Sequence, residues 1–250
     1  MKKYKALFLD VDGTTVIHGV DNLPSIRVTE AIRYCIRKGI FVNFATSRPL
    51  SVMMNILAHV DINGYSIISS GSQIYDPKSR RIIIEHEFPK SIMHVIFSLA
   101  KRFGVKVIVF DGEKEVIYDG VQEPDKVVGM YFPELTHKVY KELHTQLVRK
   151  QGISLHRMEA WDPKLICLDI VSDRASKLHG IVEVCKLLNV KKEDIVGVGD
   201  GYNDYPLLMA CGLKIAMGNA VPELKAIADF VAPTVTEDGV ATVIDKFFLV

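Results

Sequence analysis

Three apolar runs in this chain each stop on a polar residue, and that repeated arrangement limits the available folds more than any other feature. Ala6-Leu7-Phe8-Leu9 stops at Asp10, Phe41-Val42-Asn43-Phe44-Ala45 at Thr46, and Ile195-Val196-Gly197-Val198-Gly199 at Asp200. Runs this short suit strands better than helices. Lys5 to Leu9 and Ile40 to Ala45 therefore read as strands, with Tyr65 to Ser69 a third. Between them apolar residues recur at helical spacing. Val28, Ala31, Ile32, Cys35 and Ile36 define one face, followed by Gly39 as a stop, and Leu50, Met53, Leu57 and Val60 define another. This β-α-β-α-β order predicts an α/β fold with a parallel, Rossmann-like sheet covered by helices.

After Asp76-Pro77-Lys78-Ser79-Arg80 the rhythm changes. Ile92, Val95, Ile96, Leu99 and Phe103 predict a helix ending at Gly104, and Val105–Phe110, Val116–Tyr118 and Val127–Phe132 read as strands. A helix through Leu135, Val139, Leu143 and Leu147, ending at Gly152, precedes two further strands, Ile153–Arg157 and Leu165–Val171. Paired strands with few helices imply an antiparallel sheet covered on one face. Residues 82–175 are thus expected to form an inserted α+β module, and residues 1–81 with 176–250 the α/β core. From Ser176 the first pattern returns, with a helix through Leu178, Ile181, Val182, Cys185 and Leu188 and strands at Ile195–Val198, Leu213–Met217 and Phe230–Ala232. A helix through Val240, Val243, Ile244 and Phe247 closes it.

Composition excludes several functions. With 31 basic and 30 acidic residues the formal charge is +1, so nucleic acid is not an expected partner. No apolar run reaches the ~20 residues of a membrane span, and the segment before Asp12 is too short for the core of a secretion leader. The four cysteines form no C-x-x-C pair. They are expected as free thiols in a cytoplasmic protein. Oligomeric state stays open, a homodimer included.

In an open parallel sheet, ligands bind beyond the carboxyl ends of the strands, so Asp10, Thr46 and Asp200 are expected to converge. Asp10 and Asp12 are two residues apart, placing both carboxylates on one side of an extended segment, and Gly13 permits a sharp exit. Neighbouring carboxylates repel unless a cation or shared proton relieves them. The carboxylates of Asp10, Asp12 and Asp200 are therefore expected around one hard divalent cation, Mg2+. In Gly199-Asp200-Gly201-Tyr202-Asn203-Asp204, two glycines let the backbone approach an ion closely, while Asn203 and Asp204 could hold its waters or orient Asp200. Lys177, at the start of a helix, could steady an aspartate or a phosphate. Arg48 could contact a phosphate. Taken singly, Asp10-Val11-Asp12-Gly13 also reads as a turn, and Lys177 and Arg48 as surface residues. His137 and His144 share a helix face without a third ligand and read as surface residues. Trp161 reads as packing against the sheet of the inserted module.

Taken together, Asp10-Val11-Asp12-Gly13-Thr14, Thr46-Ser47-Arg48-Pro49, Lys177 and Gly199-Asp200-Gly201-Tyr202-Asn203-Asp204 resemble the four ordered motifs of the haloacid dehalogenase-like phosphatases. The similarity is greatest to the Cof-like branch, which carries an α/β cap between the second and third motifs. Met217-Gly218-Asn219-Ala220 and Asp238-Gly239-Val240-Ala241 support it. The resemblance implies a nucleophilic Asp10 that forms an aspartyl-phosphate, and an Asp12 that protonates the leaving oxygen and then deprotonates water. It also implies Mg2+ on the Asp10 and Asp200 carboxylates and the Asp12 carbonyl, with Asn203 and Asp204 supporting the metal. Thr46, Ser47, Arg48 and Lys177 would bind the phosphate. The implied substrate is a small phosphorylated metabolite, a sugar phosphate, enclosed by the cap. An acid at Asp12 favours phosphate esters over carbon–halogen bonds, because a halide leaves without a proton. The chain departs from the branch at Ser47, where glycine is usual, at Ser70-Gly71-Ser72, where Asn-Gly-Ala is usual, and at Leu178, where glycine is common. Two rival readings are a phosphomutase using the same aspartate and a non-enzymatic phosphoacceptor. A dinucleotide-binding module lacks its G-x-G-x-x-G.

Overall fold

Strand β1 (Ala6–Leu9) has no solvent-facing side chain, as its unbroken apolar run requires, and it occupies the middle of a sheet. The computed structural model describes residues 4–19, 23–118, 124–160 and 162–248. Trp161 lies outside the described residues. After β1 come α1 (Ile26–Arg37), β2 (Phe41–Ala45), α2 (Leu50–Val60) and β3 (Ser66–Ile68), then β4 (Gln73–Asp76) and β5 (Arg81–Glu85). The Ser25 hydroxyl caps α1 by accepting from the Val28 N–H at 3.1 Å. The inserted stretch contains α3 (Lys90–Phe103), β6 (Ile108–Phe110), β7 (Glu115–Ile117), β8 (Gly129–Leu135), α4 (His137–Leu147), β9 (Ile153–Glu159) and β10 (Ile166–Ser172). The chain then returns through α5 (Lys177–Leu188), β11 (Ile195–Gly199), α6 (Tyr205–Ala210), β12 (Leu213–Ala216), α7 (Pro222–Ile227), β13 (Phe230–Val231) and α8 (Gly239–Phe248).

The fold is α/β. One sheet runs β13-β12-β11-β1-β2-β3-β4-β5, parallel from β13 to β3 and antiparallel thereafter. The second, β7-β6-β8-β10-β9, is antiparallel throughout. Each has its own apolar cluster. Phe8, Phe44, Ile67 and Val198 lie in the first, and Met93, Ile96, Phe132 and Leu168 in the second.

Three details differ from the sequence expectation. The expected boundary at residue 82 falls inside β5, which pairs with β4 as part of the first sheet. This edge strand carries three isoleucines, of which Ile82 and Ile84 pack partly buried against the first cluster while Ile83 is exposed. Helix α4 stops at Leu147, well before Gly152, whose φ of +87° instead serves the turn into β9. Helix α7 was not anticipated. It has six residues and buries only Leu224, too short for a helical period to show.

Candidate active site

Strands β11, β1 and β2 are neighbours in parallel register, with Leu9 opposite both Val198 and Phe44. Their carboxyl ends therefore deliver Asp200, Asp10 and Thr46 to one place. The Asp10 N–H donates to the Val198 carbonyl at 3.0 Å, extending the ladder one residue beyond β1. The chain then turns sharply, the N–H groups of Thr14, Thr15 and Val16 all donating to the Val11 carbonyl. Gly13 makes this turn possible. Its φ is +74°, and a Cβ there would collide with Asp200 Oδ2.

The same turn aims Thr14 at its neighbour, its hydroxyl donating to Asp200 Oδ1 at 2.8 Å. Asn219 Nδ2 donates to the Gly13 carbonyl at 2.8 Å and to Asp200 Oδ2 at 3.3 Å. Asp204 closes the loop after β11, with Oδ2 accepting from the Asp200 and Gly201 N–H groups at 2.8 and 2.9 Å. Ser176 caps α5 through the His179 N–H and makes Lys177 the first helical residue. From there Lys177 Nζ donates to Asp10 Oδ1 at 2.6 Å and to Asp204 Oδ1 at 2.5 Å.

Carboxylate oxygens of Asp10, Asp200 and Asp204 all lie within 4.8 Å of one another, and all three residues are buried. Lys177 is the one ammonium paired with them among the described residues. Burial raises the Asp10 pKa to about 7, the Asp204 charge adds to the rise, and Lys177 opposes it. Asp200 is also raised well above the ordinary carboxylate value, by burial first and then by Asp10 and Asp204. Burial alone would lower the Lys177 pKa, but Asp10 and Asp204 outweigh it and hold the ammonium charged. Three crowded acids against one cation leave an uncompensated negative charge, and every available donor is a hard oxygen. That set fits a divalent cation such as Mg2+.

A cavity of about 740 Å³ opens over this cluster between the two sheets. Asp10, Asp12, Thr46, Ser47, Arg48, Asp200 and Asn203 all reach its wall. The Thr46 hydroxyl accepts from the Arg48 N–H at 3.1 Å, and Asn203 Nδ2 donates to Ser47 Oγ at 3.1 Å, tying the β2 and β11 loops together.

Two expected placements are corrected. The Asp12 carboxylate does not join the cluster, because Arg48 holds both its oxygens, Nε to Oδ2 at 2.7 Å and Nη2 to Oδ1 at 2.6 Å. Such a two-pronged pair is among the stronger charged contacts, and Asp12 is not among the acids whose oxygens lie within 4.8 Å of one another. Asp204 stands beside Asp10 and Asp200, and its oxygens accept from Lys177 and from the Asp200 and Gly201 N–H groups, which places it behind the pair that lines the cavity. Lys177 lies behind the cavity wall, its ammonium already claimed by two carboxylates, and does not line the space where a phosphate would sit. Thr14 and Asn219 escaped the sequence reading as site residues. Each stands inside a motif already recognised, but only the folded turn shows where its side chain points.

Acids at adjacent strand ends, a lysine from the following helix and a second sheet roofing the cavity suit phosphoryl transfer. A family-wide profile described as haloacid dehalogenase-like hydrolase matches residues 7–151 and 122–244. The chain belongs to that family, and by class it is a phosphatase, a phosphoric monoester hydrolase. It is 28% identical to a Bacillus subtilis protein provisionally named as the phosphatase YkrA, over 98% of each chain. It is 27% identical to a phosphoglycolate phosphatase of Methanopyrus kandleri, over 95% of this chain and 94% of that one. The fold is shared with the subclass IIB sugar phosphatase BT4131, at a TM-score of 0.82 and 23% identity, over 98% of this chain and 100% of that one. Among the described residues, no helix is long and apolar enough to cross a membrane.

Proposed function

We propose that this chain is a Mg2+-dependent phosphatase that hydrolyses a small phosphorylated metabolite, a sugar phosphate, through a covalent aspartyl-phosphate on Asp10. One observation carries the reading: the buried carboxylates of Asp10 and Asp200, backed by Asp204 and a single ammonium, line a cavity shared with Thr46 and Arg48. The likeness to a solved sugar phosphatase supports the substrate class. In this reading the eight-stranded sheet and its helices form the catalytic core, and the five-stranded module is a cap. The four cysteines are free thiols, in keeping with a cytoplasmic protein.

Lys177 fixes the Asp10 carboxylate through Oδ1 and so orients it toward the phosphorus that it attacks. The P–O bond to the leaving group breaks as the Asp10–phosphorus bond forms. Asp12 supplies the proton that the leaving oxygen takes, then removes one from the water that hydrolyses the aspartyl-phosphate. Before Asp12 can act, its pair with Arg48 has to open. An incoming phosphate, competing for the guanidinium, supplies the reason for it to do so. The Thr46 hydroxyl then donates to a phosphoryl oxygen. The carboxylates of Asp10 and Asp200 and the backbone carbonyl of Asp12, supported by Asn203 and Asp204, would hold Mg2+. When bound, that ion neutralises their mutual repulsion and polarises the phosphoryl oxygens.

Cation binding has a readout independent of activity. A ligand present at about 100 times its dissociation constant stabilises the folded state by about 2.7 kcal/mol. For a chain of this size that corresponds to roughly 5–11 °C in melting temperature. Thermal unfolding with Mg2+ and with excess chelator should differ by this amount, and phosphate release should stop reversibly in the chelator. Identical melting curves together with full activity in chelator would contradict the reading.

A further inference from the structure

The roof of the cavity is the face of the five-stranded sheet turned away from its own helices. Side chains alternate along a strand. Met130 and Phe132 of β8 and Leu168 and Ile170 of β10 enter the apolar cluster with α3 and α4. Tyr131 and Asp169 therefore face the other way, and both line the cavity. Register sets Tyr131 beside Asp169 on one side and His156 beside it on the other.

Asp169 is 7% exposed, and its Oδ2 has no hydrogen-bond partner; His156 Nε2 is equally shut from solvent and unpartnered. Burial raises the Asp169 pKa to about 6, against the pull of the Ser70 hydroxyl and the Ile170 N–H. Burial lowers that of His156 to about 4, so the imidazole is neutral and brings no compensating charge. A buried acceptor without a donor is costly and calls for an explanation. Asp169 lines the same cavity as Asp10 and Thr46, where a substrate hydroxyl could supply the donor.

The rest of the roof has the same polarity. Glu115 also lines it and accepts from the Tyr131 hydroxyl at 2.9 Å. Among the described roof residues the arginine is Arg157, and its guanidinium sits over the Tyr202 ring at 4.3 Å. Two carboxylates beside a stacked guanidinium accept hydrogen bonds readily and receive a further anion poorly.

Resting on the phosphatase reading, we propose that Asp169, with the Tyr131–Glu115 pair beside it, forms the leaving-group subsite. It selects phosphoesters whose alcohol carries further hydroxyl groups and rejects those whose alcohol carries a carboxylate. Hydroxyls donate to Asp169 and fill its open acceptor. A carboxylate in their place would leave that acceptor unfilled and set like charges together.

The experiment compares kcat/KM for a panel of hexose, pentose and polyol phosphates with that for phosphoglycolate, in the wild type, Asp169→Asn and Glu115→Gln. The wild type should favour the best hydroxylated substrate over phosphoglycolate by about 100-fold or more. Asp169→Asn should narrow that ratio about tenfold, and the exposed Glu115→Gln by a smaller factor in the same direction. Melting curves establish that Asp169→Asn is folded, and Glu115→Gln carries the comparison if it is not. Equal use of phosphoglycolate by the wild type, or an unchanged ratio in the folded variant, would overturn the assignment. Wild-type turnover of an aryl phosphate separates the two levels: turnover with a flat ratio removes only this subsite, and no turnover removes the phosphatase reading itself.

Discussion

Asp10→Asn is expected to reduce phosphate release from an aryl phosphate by about 10⁴-fold or more, the scale on which loss of a covalent nucleophile is felt. The amide has nearly the shape of the carboxylate but cannot form the acyl phosphate. The fold has little reason to suffer. Asp10 is a buried acid whose charged form is disfavoured by burial and by Asp204, and Lys177 keeps Asp204 as a partner after the change. The carbonyl oxygen of the new amide can still accept from Lys177. The melting temperature should therefore stay near that of the wild type while turnover disappears. Steady-state phosphate release and thermal unfolding on the same preparation check both halves. Near-normal turnover would remove Asp10 as the nucleophile.

Lys177→Met should reverse that pattern by striking stability first. It leaves Asp10 and Asp204 buried without the ammonium that each now accepts from. Removing one partner from a buried ion pair costs about 3–5 kcal/mol. In a chain of this length that is roughly 6–20 °C in melting temperature. Methionine keeps most of the aliphatic volume, so the loss reports charge and not a cavity. Excess Mg2+ should restore part of it, since the cation would relieve the same carboxylates. A melting temperature within about 2 °C of the wild type would show that Lys177 is not what balances the cluster.

The convergence of Asp10, Thr46 and Asp200 was legible because it depends only on strand ends, and a strand end is visible where an apolar run meets a polar residue. Helices with a glycine stop, such as α3 before Gly104, were legible for the same reason: the period and its termination are both local. What escaped depends on the path of loops. Nothing near Asp12 in sequence announces that Arg48, 36 residues on, will grip its carboxylate and draw it out of the acidic cluster. The loop after β11 was more legible, since Asp204 was expected to orient Asp200 and its Oδ2 accepts from the Asp200 N–H. The expected boundary cut β5 because the turn signals at residues 76–80 read as a change of module, whereas that turn joins two strands of the same sheet. Asp169 did leave a trace. It is a single acid in the middle of Ile166-Cys167-Leu168-Asp169-Ile170-Val171, a run otherwise apolar and fully buried. An acid placed there must either find a partner or face a site, and the structure turns it toward the cavity.

The covalent step can be observed directly. Wild-type enzyme mixed with a phosphate-labelled aryl phosphate, quenched in acid during turnover and digested, should yield one labelled peptide, with the phosphoryl group on Asp10. The label should be absent from Asp10→Asn and should decay as free phosphate appears. Turnover without any labelled peptide, or a label on a residue other than Asp10, would contradict the account.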